Sequence, residues 1–313
     1  MSAVPGPQVD FSSTTTASLT QELSGPLDMH YYLTEGLEGV EHQKYCGRAS
    51  FTKAIELKID ESRLVNSKGG QYVVFSSVEK KHLAYINRIR DTNYKGLRFL
   101  YLDNEKTLIV KTMYRAFPGL LSARLVDILR NKIVLMGLDG AVLGLRGASF
   151  EGRHSSKEAY WVFKPCCRPY IDDLPTLVFE CGVSESKRRL RAEASWWLQN
   201  TQEEVKIVVV LRVSEEDRKI TLEQWEMDTG PNPQATQDRP DGTRTNLTRI
   251  QKVTIVAPLG SRAVATAPFS LNFNKIFLRD PDPAKGEKDF IFSKKELEKS
   301  FAQHVWANFV SRK

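Results

Sequence analysis

The spacing of apolar and polar positions divides this chain into a strand-rich middle held between amphipathic helices. After Gly69-Gly70, the run Gln71–Phe75 predicts a strand. Ser76 and Glu79 then form a Ser-x-x-Glu capping box opening a helix to about Arg90, with Leu83, Ile86 and Ile89 on one side. Leu97–Leu102 and Thr107–Lys111 flank the polar tetrad Asp103-Asn104-Glu105-Lys106, the pattern of a hairpin. Pro118 suits the first turn of a helix whose apolar face is Leu121, Leu125, Ile128 and Leu129, and Gly137 can end it. Strand-like runs follow at Ala141–Leu145, Glu158–Lys164 and Thr176–Cys181. A second helix is predicted over about Glu185–Gln199, apolar at Leu190, Ala194, Trp197 and Leu198. Val205–Leu211 is so apolar that both faces of its sheet must be covered.

Lys219–Met227 and Ile250–Ala257 read as two further strands. Near the C-terminus Ser293 and Glu296 make a capping box, Phe292 and Leu297 a hydrophobic staple, and Leu297, Phe301 and Val305 an apolar stripe. From Pro118 to Leu211 the order is thus helix, three strands, helix, strand. Short links make the three strands a meander, and helices on both faces of a mixed sheet would bury the apolar strand. The fold class expected is α/β. Residues 1–26, rich in Ser, Thr, Gly and Pro, read as a disordered tail. Residues 27–96 read as an N-terminal accessory region, within which the stretch from Asp28 to Ser67 gives no clear pattern. Residues 97–258 read as the core, with 228–248 a flexible loop, and 259–313 as a C-terminal extension with a terminal helix.

Composition narrows the class only a little. Hydrophobic residues at 41% and charged residues at 27% of 313 positions belong to a globular chain. No apolar run reaches the ~18–20 residues that span a bilayer, and the start lacks a signal-peptide pattern, so an intracellular protein, cytoplasmic or nuclear, is expected. Cys46, Cys166, Cys167 and Cys181 form no C-x-x-C pair and are expected as free thiols. The net charge of +7 favours an anionic partner, nucleic acid before an acidic membrane surface.

Glu180 is the residue that changes the picture. It lies inside the apolar run Leu177–Gly182, where an ionised carboxylate is costly unless it is paired or bound to a metal. Satisfaction by a neighbouring Arg or by backbone donors is the competing explanation. Around it, Pro175–Ser186 resembles the "PTLVVEVGVSES" segment of a family of uncharacterised fungal proteins. The likeness extends through Leu190-Arg191, Trp196–Leu198 and Glu204–Val208, and upstream through Gly147–Ser149 and Ser156–Ala159, against that family's "GSS…SKEAD". These segments also resemble bacterial Uma-type proteins of the PD-(D/E)XK superfamily. The resemblance implies a restriction-endonuclease-like core (α-β-β-β-α-β). It further implies nuclease chemistry, with two carboxylates holding Mg²⁺ to activate water against a phosphodiester of DNA or RNA.

On that resemblance Glu180 matches the second carboxylate, but Tyr160 stands where the family has Asp, and Gly182 stands where the superfamily pattern has a Lys that the family segments also lack. A neutral phenol is a poor ligand for a hard cation. Glu158 and Asp173 are the stand-in metal ligands to consider, although Glu158 is equally explained as a solvated strand start. Lys187, Arg188, Arg189 and Arg191 open the second helix, where positive charge opposes the macrodipole. They read either as a solvated face or as a nucleic-acid contact (Lys187, Arg188, Arg191), and the resemblance lets Arg189 or Arg191 replace the missing Lys. Trp196 and Trp197 read as packing rather than base stacking. Two functions follow: a nuclease-fold protein that binds or hydrolyses nucleic acid, with Mg²⁺ if active, or an inactive interaction module on the same fold.

Overall fold

A computed structural model describes residue 33 and residues 36–63, 71–112, 116–183, 187–231 and 243–308. The tail read over 1–26 lies outside them. The described residues build two mixed β-sheets with one helix between them and further helices outside. The first sheet has six strands in the order β1-β2-β4-β3-β7-β6, formed by β1 (Glu41–Lys44), β2 (Tyr72–Ser76), β3 (Leu97–Leu102), β4 (Thr107–Thr112), β6 (Ser149–Glu151) and β7 (Ser155–Glu158). The second has seven, β13-β12-β11-β10-β9-β8-β5. Its strands are β5 (Val142–Arg146), β8 (Trp161–Pro165), β9 (Leu177–Val183), β10 (Ile207–Ser214), β11 (Lys219–Pro231), β12 (Thr243–Val256) and β13 (Val264–Ala265). A small hairpin of β14 (Phe269–Leu271) and β15 (Phe290–Phe292) completes the set.

Alternation along the strands explains the layers. On β8, β9 and β10, Phe163, Phe179, Val209 and Leu211 pack with Leu121, Leu125 and Leu129 of helix α3 (Ala116–Leu135). Val162, Val178, Val208 and Val210 point the other way, onto Leu190, Ala194 and Trp197 of helix α4 (Lys187–Gln199). The run Val205–Leu211 is therefore apolar because β10 is covered on both faces. Strand β10 is parallel to β9 and antiparallel to β11. The opposite side of α4's layer is closed by Tyr72, Val74, Leu100 and Ile109 of the first sheet. The outer face of that sheet carries helices α1 (Arg48–Arg63) and α2 (Lys80–Asn93), through Phe51, Ile55, Ile86 and Ile89. Gly137, at φ +71°, ends α3, and the Ser293/Glu296 box opens the C-terminal helix, with bonds of 2.9 and 3.2 Å.

Three expectations change. The strand over Glu158–Lys164 is broken at Ala159-Tyr160, so that β7 belongs to the first sheet and β8 to the second. The capping box at α2 is Glu79 with His82, whose Nδ1 accepts the Glu79 N–H at 3.1 Å; Ser76 is instead the last residue of β2 and pairs with Lys44. The polar segment 228–248, expected as a flexible loop, is strand wherever it is described: Asp228–Pro231 and Thr243–Thr248 continue the β11–β12 ladder. Its hydrogen bonds are main-chain, with Thr229 and Thr245 hydroxyls 3.0 Å apart across it, and so need no apolar pattern. All four cysteines are free thiols. No helix among the described residues is long and apolar enough to cross a membrane.

Candidate functional site

Glu180 sits mid-strand in β9 on the face turned toward α4 and the first sheet. It is 4% exposed, and two partners meet it there. The indole N–H of Trp197 donates to Glu180 Oε1 at 2.6 Å, and Lys157 Nζ of β7 lies 3.4 Å from the same oxygen. Lys157 also forms an ion pair with Glu193 of α4, itself 3% exposed. The Tyr72 hydroxyl donates to Glu193 Oε1 at 2.9 Å. Lys111 Nζ donates to the Cys181 carbonyl at 2.9 Å and stands over the Tyr72 ring. One buried ammonium is thus shared by two buried carboxylates. Burial pushes the Glu180 carboxyl up, and the neighbouring Glu193 adds to this, against the pull of Lys157 and Lys111. Burial also acts on Glu193, but Lys157, Lys111 and its hydrogen bonds from Lys157 and Tyr72 outweigh it and hold the group down to about 2.

The structure does not bring the other candidate acids into this pair. Glu158 is buried, but its carboxylate is ion-paired to Arg90 of α2 and accepts the Phe99 N–H at 3.2 Å. Strand β7 ends at Glu158, so Tyr160 does not share its strand. Asp173 caps the turn before β9, accepting the Tyr170 N–H at 2.8 Å. Tyr160 packs into the α3 core, its hydroxyl bonded to Ser122, and burial raises the phenol to about 12.

The basic run splits in two. Lys187 and Arg188 are exposed, Arg188 lying 3.8 Å from Glu38. Arg189 is buried, donates from Nε to the Gly36 carbonyl at 2.8 Å and lies over the Tyr72 ring, while Arg191 stacks at 5.7 Å on Trp225. Trp196 and Trp197 are both packed, edge to face at 4.8 Å.

Sequence reasoning missed Lys157, Glu193, Tyr72, Lys111 and Arg98. For Glu193 a signal existed: it falls three residues after Leu190 and four before Trp197, on the buried stripe. The others come from the first sheet and meet Glu180 only through tertiary contact. Together Tyr72, Arg98, Lys111, Lys157 and Tyr160, with Glu158, Glu180 and Glu193, line a small cavity of about 20 Å³, room for about one water. This donor set does not fit a hard divalent cation. The carboxylates already face an ammonium, and a third ligand position is a phenol held protonated far above neutral pH.

No protein-family model matches the chain, and no match is found among curated proteins. Among solved structures, the chain is similar to a candidate nuclease of the DUF820 family from Anabaena variabilis. The TM-score is 0.32 and the identity 9%, over 47% of this chain and 75% of that one.

Proposed function

We propose that this protein is a catalytically silent module on a nuclease-like fold, and that its ligand is nucleic acid. The observation that carries the first part is Lys157, placed between Glu180 and Glu193. A lysine bound to both carboxylates supplies internally the positive charge that a metal would bring to an active site. The nuclease-like reading is supported by the sequence resemblance around Glu180. It is also supported by the succession of α3, β5, β8, β9, α4 and β10, with the four strands adjacent in one sheet and the helices on opposite faces. Nucleic acid as ligand is supported by the net charge of +7 and by the exposed Lys187 and Arg188 at the start of α4.

The test is titration calorimetry with Mg²⁺ and Mn²⁺, run beside incubation with plasmid, single-stranded DNA and RNA. We expect no saturable metal binding, no cleavage, and salt-sensitive binding of nucleic acid. Metal-dependent cleavage by the unmodified protein that disappears in Glu180→Gln would overturn the silent reading. Absence of nucleic-acid binding at low salt would leave a module for another class of partner.

A further inference from the structure

Strands β11 and β12 change register once, between Gln224 and Trp225: Gln224 pairs with Gln251, but Trp225 pairs with Arg249. The register that runs from Lys219 to Gln224 would have set Ile250 opposite Trp225. Ile250 is instead the extra residue of a β-bulge, 47% exposed, and Arg249 takes its place on the face of Trp225. Beyond the bulge Leu247 pairs with Met227, where the unshifted register would set Thr248, and both pack against the layer that holds Trp225. One apolar side chain thus leaves this face as another enters it, and what the shift adds is an arginine over Trp225. Bulges re-aim side chains, and this one aims a cation.

Helix α4 brings a second cation to the same ring. The guanidinium carbon of Arg191 lies 5.7 Å from the centroid of the Trp225 ring, and that of Arg249 lies 5.8 Å from it. Trp225 is only 7% exposed, so its ring supports the arginines rather than offering a face for a base. Its Nε1 and the Nε of Arg191 are both buried without an acceptor. Charge around the ring is unbalanced. Glu223 lies 3.6 Å from Arg249, whereas Arg191 has no acidic partner among the described residues. Lys187 and Arg188 are exposed and stand four and three residues before Arg191, on its side of α4. None of these side chains lines the cavity around Glu180.

We propose that Arg191, Trp225 and Arg249 form a clamp for the phosphodiester backbone of a nucleic acid, which crosses from the start of α4 to the bulge in β12. The clamp rests on the nucleic-acid reading above and gives it a location outside the closed cavity. A guanidinium offers its N–H groups in a fixed fork that matches phosphate oxygens in pairs. The indole holds both guanidinium groups in place before a ligand arrives, so less side-chain freedom is lost on binding. Such contacts address phosphate and carry no base readout, so binding should be independent of sequence.

The experiment follows the anisotropy of a labelled single-stranded oligonucleotide, and separately sedimentation with phosphatidylserine vesicles, over a series of salt concentrations. The proteins are wild type, Arg249→Gln, the double variant Arg191→Gln with Arg249→Gln, and Arg88→Gln, which removes one exposed positive charge from α2. Arg249 is exposed, so its single variant keeps the test open if the double variant fails to fold. We expect Arg249→Gln to bind the oligonucleotide about tenfold more weakly, the scale of one charge-assisted hydrogen bond. The double variant should bind more weakly still and lower the salt slope by about 1.4 units, the release expected for two phosphate contacts on a single strand. Arg88→Gln should bind as the wild type does. Equal losses in Arg249→Gln and Arg88→Gln, or no loss in Arg249→Gln, overturn the clamp and leave the nucleic-acid reading standing. A wild type that binds no oligonucleotide at low salt overturns that reading and the clamp with it, and vesicle binding by the same protein then assigns the surface to a membrane.

Discussion

The indole N–H of Trp197 donates to Glu180 Oε1 at 2.6 Å, joining helix α4 to strand β9 inside the layer between the two sheets. A side chain chosen for its apolar bulk here also supplies the polar donor that a buried carboxyl needs. Trp197→Phe keeps most of the buried area and removes the donor. We expect a loss of about 1–3 kcal/mol, the cost of leaving a buried acceptor unmet, read from the midpoint of urea unfolding.

Lys157 is the more critical partner because it faces two acids. Lys157→Met should destabilise the protein by about 3–5 kcal/mol, since it strands buried charge. Adding Glu180→Gln and Glu193→Gln to the same chain should recover much of that loss. A triple variant no more stable than Lys157→Met would show that the lysine acts through packing alone.

The two carboxyls give opposite pH dependence. Glu193 is held down to about 2, below the ordinary 4.5, so it contributes stability that is present above about 4.5 and lost as pH falls toward 2. Glu180 is pushed up, so its contribution is favourable at low pH and is lost as pH rises through its folded value. Glu193→Gln should therefore flatten the acid limb of the stability profile. Glu180→Gln should raise stability at neutral pH relative to acid. Unfolding curves from pH 3 to 8 on wild type and both variants will test the signs.

Tyr160→Asp places a further acid beside the cavity that Glu158, Glu180 and Glu193 line. The charges of Arg146 and Arg98 already act on this position, so the new carboxylate should be held by guanidinium rather than recruit a metal. Calorimetry with Mn²⁺ should show no saturable binding by this variant.

The basic start of α4 should divide by position. Replacing Lys187 and Arg188 together by Gln should change stability by no more than about 0.5 kcal/mol, because both are exposed. Arg189→Gln should cost about 1–3 kcal/mol through its lost bond to Gly36 and its lost stacking on Tyr72. Thermal denaturation of the two variants separates surface charge from structural arginine.

Much of the local structure was legible because it repeats a simple period. Leu121, Leu125 and Leu129 mark the face of α3, Gly137 its end, and the tetrad from Asp103 the β3–β4 turn. Glu180 stood out because a charge in an apolar strand needs an explanation. Its partner Lys157 did not, since only folding brings it across from another sheet. The break at Ala159-Tyr160 was hidden because alternation continues on both sides of it, so one strand and two strands read alike. The strand ends at Asp228–Pro231 and Thr243–Thr248 were hidden for a different reason: the ladder there is held by backbone bonds, which polar side chains do not announce.

The path of the chain through Ala159 and Tyr160 ties the two sheets into one cooperative unit. Strand β5 lies in the second sheet, β6 and β7 return to the first, and β8 comes back to the second only two residues later. The first sheet is thus completed by residues lent from the middle of the second. A fragment starting at α3 would carry β6 and β7 as an uncovered edge and would present Lys157 without the strands that shield it. Neither half can be excised as an independent folding unit, and calorimetric melting should give one transition rather than two.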